Sequence, residues 1–187
     1  MTDKLRQTKL NAISAKNLHR KSKAKYEWFS GVGAILTIIV PILFIIAQYV
    51  TKGTTSENEV NNISFALSLI LLAVSVLAMI LNITEKITTH KIGVRNNLYV
   101  SNECDNLNGK TDNEMEWFYR YVTEIDNQDS DTFAGVSDKT KRKTYREALK
   151  EFSPGDHTIT CPICKSSPYK FKKGDCQLCG NSKNQII

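Results

Sequence analysis

Five cysteines carry the clearest chemistry in the sequence, and four of them form two pairs late in the chain. Cys161 and Cys164 are separated by two residues, as are Cys176 and Cys179, with eleven residues between the pairs. Thiolates at this spacing supply two ligands from one tight turn, and four complete the tetrahedral shell of Zn²⁺. Because four sulfurs leave no open position, we expect a structural zinc site, with iron or paired disulfides as alternatives. The odd cysteine count indicates a reducing compartment, with Cys104 as a plain buried thiol.

The residues around these cysteines predict a zinc ribbon over residues 154–187. Residues 158–160 and 169–171 favour short strands, and Lys173, Gly174 and Asp175 favour a turn, so a small β-hairpin is expected. Basic and aromatic residues alternate near Tyr169 and Phe171, a pattern that can stack bases and hold phosphates. The ribbon is expected to dock a protein partner, with nucleic acid or a purely scaffolding role as alternatives.

Two stretches, residues 29–50 and 63–83, contain no charged residue. A membrane helix needs about 20 apolar residues to cross the hydrocarbon core, and both stretches reach that length. Trp28 and Tyr49 lie at the ends of the first stretch, where amphipathic rings favour the membrane interface. We therefore expect a two-helix transmembrane hairpin over residues 28–83, in preference to a cleaved signal peptide.

Positive charge is unevenly distributed around the two predicted spans. Residues 1–27, predicted to form a basic helix, are rich in lysine and arginine, whereas the loop between the spans has only Lys52 beside Glu57 and Glu59. The positive-inside rule then places both termini in the cytoplasm. The net charge of +6 and pI of 9.0 indicate an acidic partner. Four cations before the first span are expected to contact anionic lipid headgroups, with nucleic acid as the other interpretation: Arg20, Lys21, Lys23 and Lys25.

Small and polar residues follow one side of each predicted span. They are Ser30, Gly33, Thr37, Pro41 and Gln48 in the first span and Ser64, Ser68, Ser75 and Asn82 in the second. Such seams allow close helix packing, or they line a water path once copies assemble. Because two helices cannot enclose a channel, a pore requires a homo-oligomer. No Asp, Glu, Lys, Arg or His lies within either span, which argues against a proton-coupled transporter.

Residues 84–153 predict a cytoplasmic helical region, which makes the fold class mostly α. Residues 84–107 are expected to extend the second span inward as one helix. Thr111 and Glu114 have the spacing of a capping box, and the helix after them places Met115, Phe118, Val122 and Ile125 on one face, expected to pack on helices before or after the spans. Residues 126–136 are expected to form a loop. Ser137 then caps a basic helix that ends near residue 152.

The spans, the helical region and the tail together resemble a known group of bacterial proteins. The spacing of Cys161, Cys164, Cys176 and Cys179 is similar to that of the mobilome CxxCx(11)CxxC proteins. The layout of residues 1–155 resembles the SLATT superfamily of two-span membrane effectors.

The resemblance implies a membrane effector of bacterial conflict, of the anti-phage type. Such an effector would oligomerise in the bacterial inner membrane and permeabilise it on a signal from a sensor or nucleotide-signalling protein. The alternative is a membrane-anchored adaptor whose zinc ribbon recruits a protein or nucleic acid. We expect no enzymatic activity, because the sequence has no Ser/His/Asp set, glycine-rich phosphate loop or H-E-x-x-H motif.

Overall fold

The computed structural model describes residues 1–182, and its regular structure over this range is helical. The helices are α1 (Asp3–Thr51), α2 (Glu57–Ile80), α3 (Ile83–Asn106), α4 (Asp112–Thr132) and α5 (Asp138–Phe152). The chain divides into two compact units. The hairpin unit comprises residues 22–89, and the core unit comprises residues 1–21 together with residues 90–182. The mostly α fold class is therefore confirmed.

The hairpin unit contains the two helices that are long and apolar enough to cross a membrane. They are α1, which continues into this unit from the core unit, and α2. The side chains of Ile38, Ile45 and Phe65 are at least 64% exposed. Apolar side chains at this density normally lie inside a protein or in lipid.

The expectation that the second span continues as one helix into residues 84–107 is wrong. α2 ends at Ile80, and α3 begins at Ile83. Between them, Asn82 takes a left-handed conformation with φ of 49°. Asparagine tolerates this conformation better than most residues, since its short polar side chain bonds locally. Asn82 therefore lies outside the helical stripe on which the sequence pattern placed it.

The core unit is built around the apolar face of α4. Phe118 and Met115 are almost fully buried there, in one cluster with Leu5 of α1 and Val100 and Cys104 of α3. This contact confirms that the face packs on helices before and after the apolar stretches. Full burial of one such side chain stabilises the folded state by about 1.5–3 kcal/mol.

The start of α4 agrees with the sequence prediction, and its end does not. At its start, the Glu114 carboxylate accepts the backbone N–H of Thr111 at 2.8 Å, as a capping box requires. At its end, the helix runs to Thr132, so a loop beginning at residue 126 is wrong. The polar residues that suggested a loop include Asp129, which is buried and hydrogen-bonded. α5 begins after Ser137 and ends at Phe152, as predicted, but the Ser137 side chain makes no capping hydrogen bond to the helix backbone, and its Oγ instead lies 3.0 Å from Thr140 Oγ1.

The predicted β-hairpin is also wrong for the part of the tail that the structure describes. That part has a single isolated bridge, between Lys173 and Asn181. Around this bridge, the Gly174 N–H donates to the Gly180 carbonyl at 2.9 Å and the Ser182 N–H donates to the Lys172 carbonyl at 2.8 Å. The Asn181 side chain adds two bonds: its Oδ1 accepts the Lys172 N–H at 2.8 Å, and its Nδ2 donates to the Ser167 carbonyl at 3.1 Å. One buried amide and two backbone bonds therefore connect loops that the sequence pattern assigned to strands.

Candidate metal centre

The four paired cysteines converge on one buried point. Their Sγ atoms all lie within 4.8 Å of one another. Cys161 Sγ is 3.9 Å from Cys176 Sγ, and Cys164 Sγ is 3.4 Å from Cys179 Sγ. A tetrahedral zinc ion with Zn–S bonds of about 2.3 Å requires sulfur separations of about 3.8 Å. The donor set therefore fits a metal ion such as zinc.

Each pair is presented by the same kind of backbone turn. The N–H of Lys165 donates to the Cys161 carbonyl at 2.9 Å, and the N–H of Gly180 donates to the Cys176 carbonyl at 2.8 Å. Both donors have positive φ, 58° and 70°. Each turn points its two thiols the same way, and the two turns face each other across the sulfur cluster.

The thiols differ in acidity. Burial raises the pKa values of Cys161 and Cys179, outweighing the backbone hydrogen bonds to them, and at Cys179 hydrogen bonds with the other thiols raise the pKa further. At Cys176, burial is outweighed by hydrogen bonds from the Cys179 and Leu178 amides, and the pKa is lowered to about 7. Because metal binds thiolates, loading the site must release protons, and binding must weaken in acid.

The cysteine module (residues 157–182) packs against two helices of the core unit. Its four cysteines share one buried cluster with Leu10 of α1 and with Tyr145 and Leu149 of α5. Arg146 of α5 donates to the backbone carbonyl of Cys179. Arg142 Nη2 donates to Gln177 Oε1 at 2.9 Å. These two arginines place positive charge beside a centre that would carry a net charge of −2 as Zn²⁺ with four thiolates.

A chain of buried polar groups joins α1, α3 and α4 in the core unit, and the sequence interpretation missed it. His19 Nδ1 lies 2.9 Å from His90 Nδ1, and His19 Nε2 lies 2.8 Å from Asp129 Oδ1. Asn97 Nδ2 donates to Asp129 Oδ2 at 2.8 Å. The pKa of His90 is lowered, chiefly by burial and then by His19, while Asp129 opposes the shift.

The sequence does carry a signal for this polar chain. Asp129 continues the spacing of three and four residues set by Phe118, Val122 and Ile125. Likewise, His90 and Asn97 lie fourteen and seven residues before Cys104. A polar residue at an apolar position of a helical repeat is buried with its neighbours, and it then needs a polar partner.

The predicted seam residues do not all come together. Ser30, Gly33, Thr37 and Ser75 line one groove of about 310 Å³ between the two apolar helices of the hairpin unit. Pro41 and Gln48 lie farther along α1. In α2, Ser64 is buried, and the Ser68 hydroxyl donates to the Ser64 backbone carbonyl at 2.8 Å. The function of the seam remains a prediction.

The cations predicted to contact headgroups have mixed environments. Lys21 pairs with Glu147 of α5, and Lys23 lies 3.4 Å from Glu27 one turn along α1. Arg20 and Lys25 are exposed. Two of the four are therefore engaged with carboxylates of their own unit.

The fold and the sulfur cluster define a class: a small helical protein with two membrane-length apolar helices and a four-cysteine metal-binding module. Comparison with family models is more specific. The model described as "Mobilome CxxCx(11)CxxC protein" matches residues 2–182, and the chain belongs to this family. No curated protein and no solved structure matches the chain. Membership of a mobilome family fits a role related to mobile genetic elements.

Proposed function

We propose that this chain is a membrane effector of conflict between bacteria and mobile elements. Several copies assemble in the bacterial inner membrane, with both termini in the cytoplasm, and permeabilise it on a signal. The supporting observation is the exposure of both apolar helices. In the most apolar 18-residue windows of α1 and α2, 0% and 6% of the residues are buried.

Lipid accounts for this exposure better than water does. Apolar surface in water costs about 25 cal/mol per Å² relative to an apolar environment. Two helices that expose isoleucine and phenylalanine over most of their circumference would aggregate in solution. A helix satisfies its backbone hydrogen bonds internally, which is what the bilayer core demands.

The groove between the apolar helices supports assembly. Ser30, Gly33, Thr37 and Ser75 present small side chains to it, and small residues allow membrane helices of other copies to approach closely. The Thr37 hydroxyl donates to the Gly33 carbonyl at 2.8 Å, so this donor is satisfied in lipid. In an assembled pore, the same hydroxyls would turn toward water.

The cysteine module is the proposed site of signal reception, with Zn²⁺ as its structural metal. A sensor or nucleotide-signalling protein would act on it from the cytoplasm. Leu10 packs in the cluster of the cysteines, and it belongs to the same unbroken helix that continues to Thr51. A change at the module is therefore linked through one helix to the first apolar stretch.

Expression in bacteria with a membrane-potential dye tests the effector proposal. Wild-type protein, with its genetic neighbours and their trigger, should collapse the potential. Gly33→Leu and Ser75→Leu should prevent the collapse because they fill the groove. The matched control Ile38→Leu changes an exposed apolar residue outside the groove lining and should retain activity. An intact potential with triggered wild-type protein would argue strongly against a pore.

A membrane-anchored adaptor is the second candidate. Ile163 and Phe171 on the cysteine module are 57% and 53% exposed, as a docking surface would require. Replacing residues 29–83 with an unrelated two-span hairpin separates the candidates. An adaptor would keep its activity after the exchange, whereas a pore would lose it.

A further inference from the structure

The acidic and basic side chains of α5 lie on different sides of the helix. Its two later acidic residues face α1, where Glu147 pairs with Lys21 and Glu151 with Lys16. Its apolar face is buried against the cysteine module and Leu10. The remaining cations include Lys139, which is exposed. The acidic side chains of this helix are thus largely neutralised, and its net positive charge lies on the outer surface.

Four of these cations form one stripe along α5. Lys139, Lys143, Arg146 and Lys150 are spaced by four, three and four residues, which places them on one side of a helix. The stripe spans about 16 Å at about 1.5 Å per residue. A strand with fully stacked bases rises about 3.4 Å per phosphate along its axis, and an extended strand rises more, so the stripe is long enough for up to about five phosphates.

The cysteine module continues this stripe. The Arg146 guanidinium lies 3.9 Å from the centroid of the Phe171 ring, and Lys150 Nζ lies 5.1 Å from the centroid of Tyr169. Lys170, Lys172 and Lys173 flank the Phe171 ring and are exposed.

The lysines of this composite surface are available to a ligand. Six exposed lysines of this surface form no ion pair with a carboxylate of the described residues 1–182: Lys139, Lys143, Lys150, Lys170, Lys172 and Lys173. Asp138 of α5 and Asp175 near Lys173 are exposed acidic residues, and the third exposed carboxylate, Glu151 of α5, pairs with Lys16. The surface therefore carries a clear excess of positive charge.

We propose that this composite surface of α5 and the cysteine module binds single-stranded nucleic acid. Lysines neutralise successive phosphates, and a base stacks on Phe171, whose ring Arg146 already contacts. Aromatic rings within a cationic groove recognise unpaired bases in this way. A lipid headgroup layer would satisfy the charges but has no planar group to stack on the ring. The proposal goes beyond permeabilisation and stands whether or not the hairpin unit forms a pore.

The test uses the full-length, metal-loaded chain in phosphatidylcholine nanodiscs. Binding of fluorescent oligothymidylate is followed by anisotropy over a salt series. About five phosphate contacts predict a log–log salt slope of about −3.5. Lys139→Glu with Lys143→Glu should weaken binding at least about tenfold and make the slope shallower by about 1.4.

Two further variants separate stacking from charge. Phe171→Leu should weaken binding about fivefold or more with the salt slope unchanged, because it removes a ring and no charge. Lys91→Glu with Arg95→Glu changes the net charge as the α5 pair does, but on exposed positions of α3, and should leave affinity within about twofold of wild type. Metal content and far-UV circular dichroism confirm that each variant is folded.

Two results would overturn the proposal. One is equal weakening by the α5 pair and the α3 pair, which would reduce the effect to net charge. The other is binding that is insensitive to Phe171→Leu and is abolished when phosphatidylserine is added to the discs, which would assign the surface to the membrane. A supported outcome keeps the Phe171 effect in both kinds of disc.

Discussion

One helix, α1, shows how differently the two units of this molecule treat the same kind of residue. In the core unit, Leu5, Leu10 and Leu18 of α1 are at most 6% exposed. In the hairpin unit, Ile38 and Ile45 of the same helix are 64% and 67% exposed. The core unit finds its apolar partners within the chain. The hairpin unit leaves most of its apolar surface exposed.

The core unit also buries polar residues, and these pair with one another. The core unit buries His19, Asn97 and Asp129 and satisfies them with one another, which fixes three helices in register. The stability of the core unit therefore comes from contacts between its own residues. That of the hairpin unit is expected to depend on its surroundings.

Loss of the metal should produce the largest difference between the units. Cys176→Ser removes one of four ligands, and zinc binding in comparable small modules is worth about 10–16 kcal/mol at neutral pH. The cysteine module should lose its metal and become protease-sensitive, while the apolar helices remain protected in the membrane. Metal analysis and limited proteolysis measure both effects. Cys104→Ala, at a buried cysteine outside the cluster, should retain one metal per chain.

A core truncation should have the next largest effect. Phe118→Ala removes a ring that is 0% exposed and should destabilise the core unit by about 3–5 kcal/mol. Phe65→Ala removes a ring that is 67% exposed in α2 and should leave core-unit stability unchanged. Urea unfolding followed by Trp117 fluorescence in a Trp28→Phe background measures this. Equal losses in the two variants would remove the distinction between the units.

Two glycines provide a finer comparison. A Cβ on Gly93 would overlap the His19 ring, whereas a Cβ on Gly33 meets nothing within 4 Å. Gly93→Ala should therefore destabilise the core unit by about 1–3 kcal/mol through overpacking. Gly33→Ala should not destabilise it. The same fluorescence assay applies, and a neutral Gly93→Ala would show that His19 can move aside without cost.

Protonation of His90 should have the smallest effect, and it should be confined to the core unit. The pKa of His90 is held below that of a free histidine, chiefly by burial. The folded state therefore binds fewer protons than the unfolded state, so this contribution is complete above pH about 6.5 and declines as the pH falls. Unfolding midpoints between pH 8 and pH 5 should fall for wild type and fall less for His90→Asn. A larger fall for the variant would contradict the assignment.

Local patterns predicted much of the fold. The apolar stretches, the capping box at Thr111 and the helix after Ser137 each depend on residues within a few positions of one another, and all three appear as helices or helix starts. The prediction failed where a distant partner decided the outcome. The polar composition of residues 126–132 indicated a loop, but in the folded chain these residues are helical and Asp129 contacts His19 and Asn97 inside the core unit.

In the cysteine module, too, local spacing predicted one feature, and distant contacts account for the others. Ligand spacing alone predicted that four thiols would meet, because each pair needs only one turn. In its described residues, the segments predicted as a hairpin meet at one isolated bridge, and the Asn181 amide bonds Lys172 and Ser167, which local patterns did not predict. Its contact with α5 includes hydrogen bonds from Arg142 and Arg146, and a repeat of basic residues does not distinguish such a contact from a solvated helix face.

The class of each part follows from the sequence alone: two uncharged helices of membrane length, a four-thiol cluster and an amphipathic helical region. These follow from hydropathy, helical period and ligand spacing, all of which act over short distances along the chain. Which buried polar groups hydrogen-bond to one another depends on tertiary packing and does not follow from local sequence patterns. His19, His90 and Asp129 are separated by 71 and 39 residues in the sequence. Burial makes an unpaired polar group costly, so packing had to choose their partners.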